Sequence, residues 1–160
     1  MSTCDKGNIK FTISQNRVNI KQIYQRRDIK YKKSYYTNKI DFTANSRELT
    51  DANGKKYGFY RNFFIDFATK IILDRDTKIR FIIYSDDGFS LKIDGKVILK
   101  FEKTRPIAKN EKEIFLKKGL HRVSLSYFQG VGLLGVKALY RVRKKRYFIG
   151  VNSDNVKFAK

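Results

Sequence analysis

Apolar and polar residues alternate with a period of two along most of this chain. Ile9, Phe11 and Ile13 are separated by polar neighbours, as are Val18 and Ile20, and Ile29 and Tyr31. Further on, "KIRFIIYS" reads as a buried strand and "SLKIDGKVILKF" as a hairpin turning at Asp94-Gly95. "EIFLKKGLHRVSLSYF" gives two strands about a Lys-Lys-Gly turn, with Val123, Leu125 and Tyr127 on one face. "GVKALYRVRKKRYFIGV" gives two more, turning at the basic tetrad Arg143 to Arg146. Alternation places successive side chains on opposite sheet faces. Strands punctuated by turn signals roughly every 8 to 12 residues imply an all-β antiparallel sandwich. The one helix expected is short, over "SRELTDA", with Ser46 as N-cap and Leu49 as its apolar contact.

The chain of 160 residues, 41% of them hydrophobic with 13 Phe and 10 Tyr, suffices for one domain with a packed core. A composition shift near "TDANGKKYG" divides it into an N-terminal β elaboration, residues 1–56, packed on a sandwich core, residues 57–160. No apolar run reaches the roughly 18 residues that a spanning helix needs. Cys4 is alone, which excludes an internal disulfide and a cysteine-based metal site. His121 is also alone and alternates with strand residues, so no nucleophile–base pair suggests itself and no enzyme is expected.

Within "IIYSDDGFSLKIDGK" two adjacent aspartates and a glycine separate two strands. The hairpin needs only Asp94-Gly95, so Asp86 and Asp87 form a loop with some other task. From about Tyr57 to Gly150, "FFIDFATKIIL", then "IIYSDDGFSLKIDGKVIL", then "LKKGLHRVSLSYFQGVGLLGVKALY" resemble, in order, the PA14 domain family. The resemblance implies a β-sandwich of secreted, periplasmic or cell-surface proteins, some of which bind sugars through calcium. Carried over, the ligands would be Asp86, Asp87, Gln129 and main-chain carbonyls between Gly130 and Leu133. Calcium takes six to eight hard oxygens, which suits such a set. S-D-D-G also serves simply to end a strand, with aspartates bonding nearby amides and glycine accepting positive φ. The chain has no Trp, and Leu133 and Leu134 stand on the second loop where a ring would stack on sugar, leaving Phe89 and Phe128 as the aromatic candidates.

Charge changes the functional picture. Thirty-six Lys and Arg face 15 Asp and Glu, a net charge of +21. Solvated lysines are ordinary surface, yet an excess of this size creates a field that attracts polyanions. Two stretches concentrate it. In residues 17–33, alternation sets Lys30 and Lys32 opposite Ile29 and Tyr31; the tyrosines at 24, 31, 35 and 36, within and just after this stretch, are interleaved with the cations and can stack on bases. In residues 137–148, Lys137, Arg141 and Arg143 face outward and Ala138, Tyr140 and Val142 inward. Cations at every second strand position recur at about 6 to 7 Å, near the phosphate spacing of a nucleic-acid strand.

The first expectation is therefore an extracytoplasmic polyanion-binding module that holds DNA without reading its sequence. Arg26, Arg27, Lys30, Lys32, Lys33, Arg141, Arg143, Lys144, Lys145 and Arg146 would contact phosphates, with no cofactor required. Composition and domain type are similar to the C-terminal module of ComH-type periplasmic competence proteins, which implies DNA uptake in natural transformation. The alternative is a calcium-dependent carbohydrate-binding module using Asp86, Asp87 and Gln129, for which an acidic glycan is a possible partner. A structural or protein-partner domain is the third. Periplasm or cell surface is the expected location, and "MSTCDKG" carries no export signal.

Overall fold

A computed structural model describes residues 7–26 and 29–160. Among the described residues, twelve strands form two antiparallel sheets. The larger sheet has the order β2 (Ile29–Thr37), β1 (Ile9–Asn16), β4 (Phe63–Leu73), β9 (Gly119–Gln129), β6 (Phe89–Ile93), β7 (Lys96–Phe101), and β12 (Val156–Ala159) also pairs with β4. The smaller sheet runs β11 (Lys145–Phe148), β10 (Leu134–Val142), β5 (Thr77–Asp86), β8 (Ala108–Leu116), with β3 (Asp41–Ser46) on β10. The all-β sandwich is the expected one. The first 56 residues contribute to both sheets, β1 pairing with β4 and β3 with β10.

Each strand buries its alternate apolar positions between the sheets, and the aromatics dominate that layer. Phe11 is stacked on Tyr35 at 5.3 Å between ring centroids and meets Phe42, Tyr57 and Phe67 at 5.5 to 5.7 Å. Such offset and edge contacts add to the large area each ring removes from water. The Asp94-Gly95 hairpin forms with both residues at positive φ, 52° and 82°, as a two-residue hairpin turn of the mirror-image type requires.

Two local expectations fail. No helix forms at "SRELTDA": Ser46 ends β3, its Oγ donates to the Glu48 carbonyl at 2.6 Å and accepts from the Glu48 N–H at 3.3 Å. A serine whose hydroxyl closes a turn locally competes with helix formation, and Leu49 is buried in the sandwich core instead. Ile29 and Tyr31 do not share a face. The register of β1 with β2 shifts between Gln15 and Asn16. Ile29 packs with Ile20, Phe64 and Phe128 in a small cluster, whereas Tyr31 lies 5.8 Å from the core ring of Phe59. An extra residue in a strand reverses every later side chain.

Phe11→Ala should lower unfolding free energy by about 3 to 5 kcal/mol. The urea midpoint at unchanged m-value measures it; a loss under about 1 kcal/mol would mean that β1 is peripheral to the core.

Candidate functional site

At one end of the sandwich the chain leaves the small sheet at Asp86 and enters the large sheet at Phe89. Asp86 lies opposite Gly135 in the β5–β10 ladder, so the β5–β6 and β9–β10 loops meet here. The peptide joining Asp86 to Asp87 is cis. Gly88 is required by close approach and not by positive φ: a Cβ there would lie 2.4 Å from the Phe101 carbonyl oxygen and 2.6 Å from the Phe128 ring.

Both aspartates are buried. Asp87 Oδ1 accepts the Arg105 N–H at 3.0 Å, and Oδ2 accepts the Gly130 N–H at 2.7 Å. One carboxylate thereby ties the β7–β8 loop to the β9–β10 loop. Ser85 Oγ donates to the Asp87 carbonyl at 2.7 Å, and the Tyr127 hydroxyl donates to the Asp86 carbonyl. Gln129, at the end of β9, is fully buried; its Nε2 donates to the carbonyls of Gly132 at 3.0 Å and Leu133 at 3.2 Å. Its Oε1 has no hydrogen-bond partner. An orphaned buried acceptor costs about 1 to 3 kcal/mol.

Electrostatics set the two carboxyls apart. Burial, the Asp87 charge and a hydrogen bond with Asp87 push Asp86 up to about 7, with Arg105 working the other way. Burial also raises Asp87, while the Gly130 and Arg105 amides hold it down. Arg105 is itself depressed by burial and supported by Asp86. Its guanidinium lies 4.1 Å from the Phe101 ring centroid and donates to Ser85 Oγ at 2.9 Å and to Asn110 Oδ1 at 2.6 Å. Two adjacent buried carboxyls, and a buried amide oxygen without a donor at the end of β9, are hard oxygens of the kind that calcium takes.

Sequence reasoning missed Arg105. It sits in "KTRPIAKN", where no spacing distinguishes it from the other cations. Phe89 and Phe128 are fully buried and offer no face to a sugar. The exposed apolar side chains on the β9–β10 loop are Val131 and Leu133. His121 is held at 2.6 Å from Asp94 Oδ2 through Nδ1 and at 2.6 Å from the Lys117 carbonyl through Nε2, a structural clamp on two turns.

The two basic stretches fall on different sheets. Lys30, Lys32 and Lys33 are exposed on β2 of the large sheet. Arg26 makes a two-pronged ion pair with Asp66 and lies 4.4 Å over the Phe64 ring, so its charge is already matched. Arg27 lies outside the described residues, as does Cys4. Arg141, Arg143, Lys144, Lys145 and Arg146 belong to β10, β11 and their turn in the small sheet, where Arg141 is half-buried and the other four are exposed. Of the interleaved tyrosines, Tyr24 and Tyr31 are exposed, Tyr36 is half-buried, and Tyr35 packs on Phe11 and Tyr57.

No family model and no curated protein matches the sequence. Solved structures do match the fold. A PA14 sugar-binding domain from an RTX adhesin aligns with TM-score 0.70 at 13% identity, over 89% of this chain and 95% of that one. The fold is PA14-like. The PA14-like arrangement extends to the Epithelial Adhesin 9 A domain of Candida glabrata, solved with Galβ1-3GlcNAc, at TM-score 0.68 and 10% identity over 96% and 89% of the two chains. An anti-sigma factor domain-containing protein aligns at TM-score 0.69 and 16% identity, and this chain spans 45% of its length. Identities this low speak for the PA14-like fold alone. Among the described residues no helix is long and apolar enough to cross a membrane.

In the cation-free protein, the raised Asp86 carboxyl contributes stability below the ordinary carboxylate range and loses it as pH rises through about 7. A bound cation must displace that proton. Terbium luminescence titrations should therefore show tighter binding at about pH 8 than at about pH 5.5. Equal affinity at both would detach Asp86 from the site.

Proposed function

We propose that this chain is a carbohydrate-binding module that works outside the cytoplasm, at the cell surface or in the periplasm, and depends on calcium. The observation that carries the reading is a pair of adjacent buried carboxyls, tied to the β9–β10 loop through Asp87 Oδ2 and the Gly130 N–H, with the partnerless Oε1 of Gln129 one residue before that tie. Asp86, Asp87 and Gln129 would hold the ion, with the Gly132 and Leu133 carbonyls as main-chain acceptors on the same loop. Calcium, when bound, supplies open coordination positions that sugar hydroxyls can fill. The chain's own contribution is to fix the loops, exclude water beneath them and offer Val131 and Leu133 as an apolar rim for a sugar ring. Structural neighbours described as sugar-binding support this assignment. The module binds and does not catalyse: His121 is committed to Asp94 and Lys117.

A second reading, sequence-independent DNA binding, rests on the net charge of +21. Lys30, Lys32, Lys33, Arg143, Lys144, Lys145 and Arg146 are its exposed contacts. Exposed cations on two sheets neutralise phosphates and release counterions, giving affinity that falls steeply with salt.

A glycan array probed with calcium and with chelator tests the first reading. Binding should need calcium and should be lost in Asp86→Asn, a variant whose cation-free melting temperature stays at or above that of the parent because it removes a buried charge. Glycan binding that ignores chelator, or no glycan bound with calcium, would overturn it. A labelled duplex of arbitrary sequence, titrated at low and near-physiological salt, tests the second; no binding at low salt sinks that reading.

A further inference from the structure

The outward face of the large sheet carries a row in register across five strands: Tyr36, Lys10, Ala68, Ser124 and Lys92. One step along the strands, Lys70 lies directly opposite Arg122. Ala68 and Ser124 are exposed and small, so they form the floor of a depression of about 500 Å³ walled by Lys10, Lys70, Arg122 and Lys160. The Lys160 ammonium lies 4.6 Å from the Tyr36 ring centroid and closes one end. Lys92 stands beside Ser124 at the other.

Among the described residues, no Asp or Glu side chain lines this groove. Asp94, on the hairpin beside it, is turned to His121 Nδ1 and to the Arg122 N–H at 2.8 Å. Asp66, in the neighbouring row, is taken by Arg26 and by Ser126 Oγ at 2.8 Å. Lys10, Lys70 and Lys92 enter no salt bridge among the described residues. The small sheet is different. There Arg80 meets Glu111 at 2.7 Å, Lys109 meets Glu111 at 3.6 Å and Lys137 meets Asp41 at 3.7 Å. Like charges directly opposite on adjacent strands repel, and Lys70 with Arg122 is such a pair. An anionic ligand would relieve that repulsion.

We propose that this groove is a second binding site, for a carboxylated or sulfated glycan chain. Charge complementarity names the anion, and the shape names the polymer. The floor is two small residues wide between Lys10 and Lys92, whose backbones stand about 14 Å apart at three strand spacings. A single sugar chain lies flat in such a trough, with the Ser124 hydroxyl beneath it for its own hydroxyls. A B-form duplex is too wide to enter and would touch only the rim. The Tyr36 ring, covered by Lys160, gives no open platform for a base. The site is independent of the calcium reading, because it shares no residue with Asp86, Asp87 and Gln129.

The test uses the whole chain in excess chelator, which silences the calcium site. Polygalacturonate, heparin, neutral dextran and duplex DNA are titrated across a range of salt. The carboxylated probe, the sulfated probe or both should bind, dextran should not, and the two acidic arms separate the sources of the anion. Lys70→Ser combined with Arg122→Ser should lower the log–log salt slope by about two, one for each cation removed. If the paired variant melts early, Lys10→Gln with Lys92→Gln carries the same expectation. Undiminished binding in folded groove variants, no acidic glycan bound in chelator, or DNA outcompeting an acidic glycan of equal charge would each overturn the assignment.

Discussion

The Asp87 carboxylate holds three parts of this molecule at one point. The backbone crosses there from the small sheet to the large one, and the two oxygens accept amides from Arg105 and Gly130, on separate loops. Burying a carboxylate is costly unless its oxygens are hydrogen-bonded. The chain meets that condition with backbone donors, and in doing so sets the positions of both loops. Gly88 follows from the same constraint, since any Cβ would strike Phe101 and Phe128. The neighbouring Asp86 is left without such donors, so burial and the Asp87 charge raise it to about 7. Two adjacent residues of one type thus differ: Asp87 organises the loops, and Asp86 is the carboxyl that the proposed cation would have to deprotonate.

That division explains which parts of the site were readable beforehand. The S-D-D-G loop stands out because a hairpin signal at Asp94-Gly95 makes it redundant as a turn. Strand identities follow from period-two patterning, and the φ values of Asp94 and Gly95 agree with their residue types. Arg105 was invisible, because its partners Ser85 and Asn110 are brought to it by tertiary structure and not by spacing. The missing donor of Gln129 Oε1 is likewise a property of packing. The bulge opposite Gln15 and Asn16 leaves the local composition unremarkable, yet it sends Ile29 to one side of the sheet and Tyr31 to the other. Ser46 had a cap residue's identity, but a local hydroxyl–backbone contact was satisfied without any helix.

Charge was legible in amount and misleading in place. Composition gives +21, and sequence clusters pointed to residues 17–33 and 137–148. Folding then matches Arg26 with Asp66 and puts the clusters on different sheets. The groove cations Lys10, Lys70, Lys92, Arg122 and Lys160 come from five separate strands or termini, so no window of sequence could gather them. Strand pairing alone makes them neighbours.

The groove and the Asp86-Asp87 loop lie well apart on the molecule. Along β9, seven residues separate Arg122 from Gln129, about 24 Å at the rise of an extended strand. The Debye length is about 8 Å at physiological ionic strength, so each end is screened from the other there. At low salt the screening relaxes, and the whole positive field bears on the acidic loop. A divalent cation approaching Asp86 and Asp87 would then be repelled by the same charges that would draw an anionic polymer to the proposed groove. Added salt would therefore act on the two proposed equilibria in opposite directions, easing the first and weakening the second. In a chain with so large an excess of one charge, a cation site is favoured where carboxylates lie close together and away from the main cationic face. Asp86 and Asp87 are adjacent and buried at the sheet crossing.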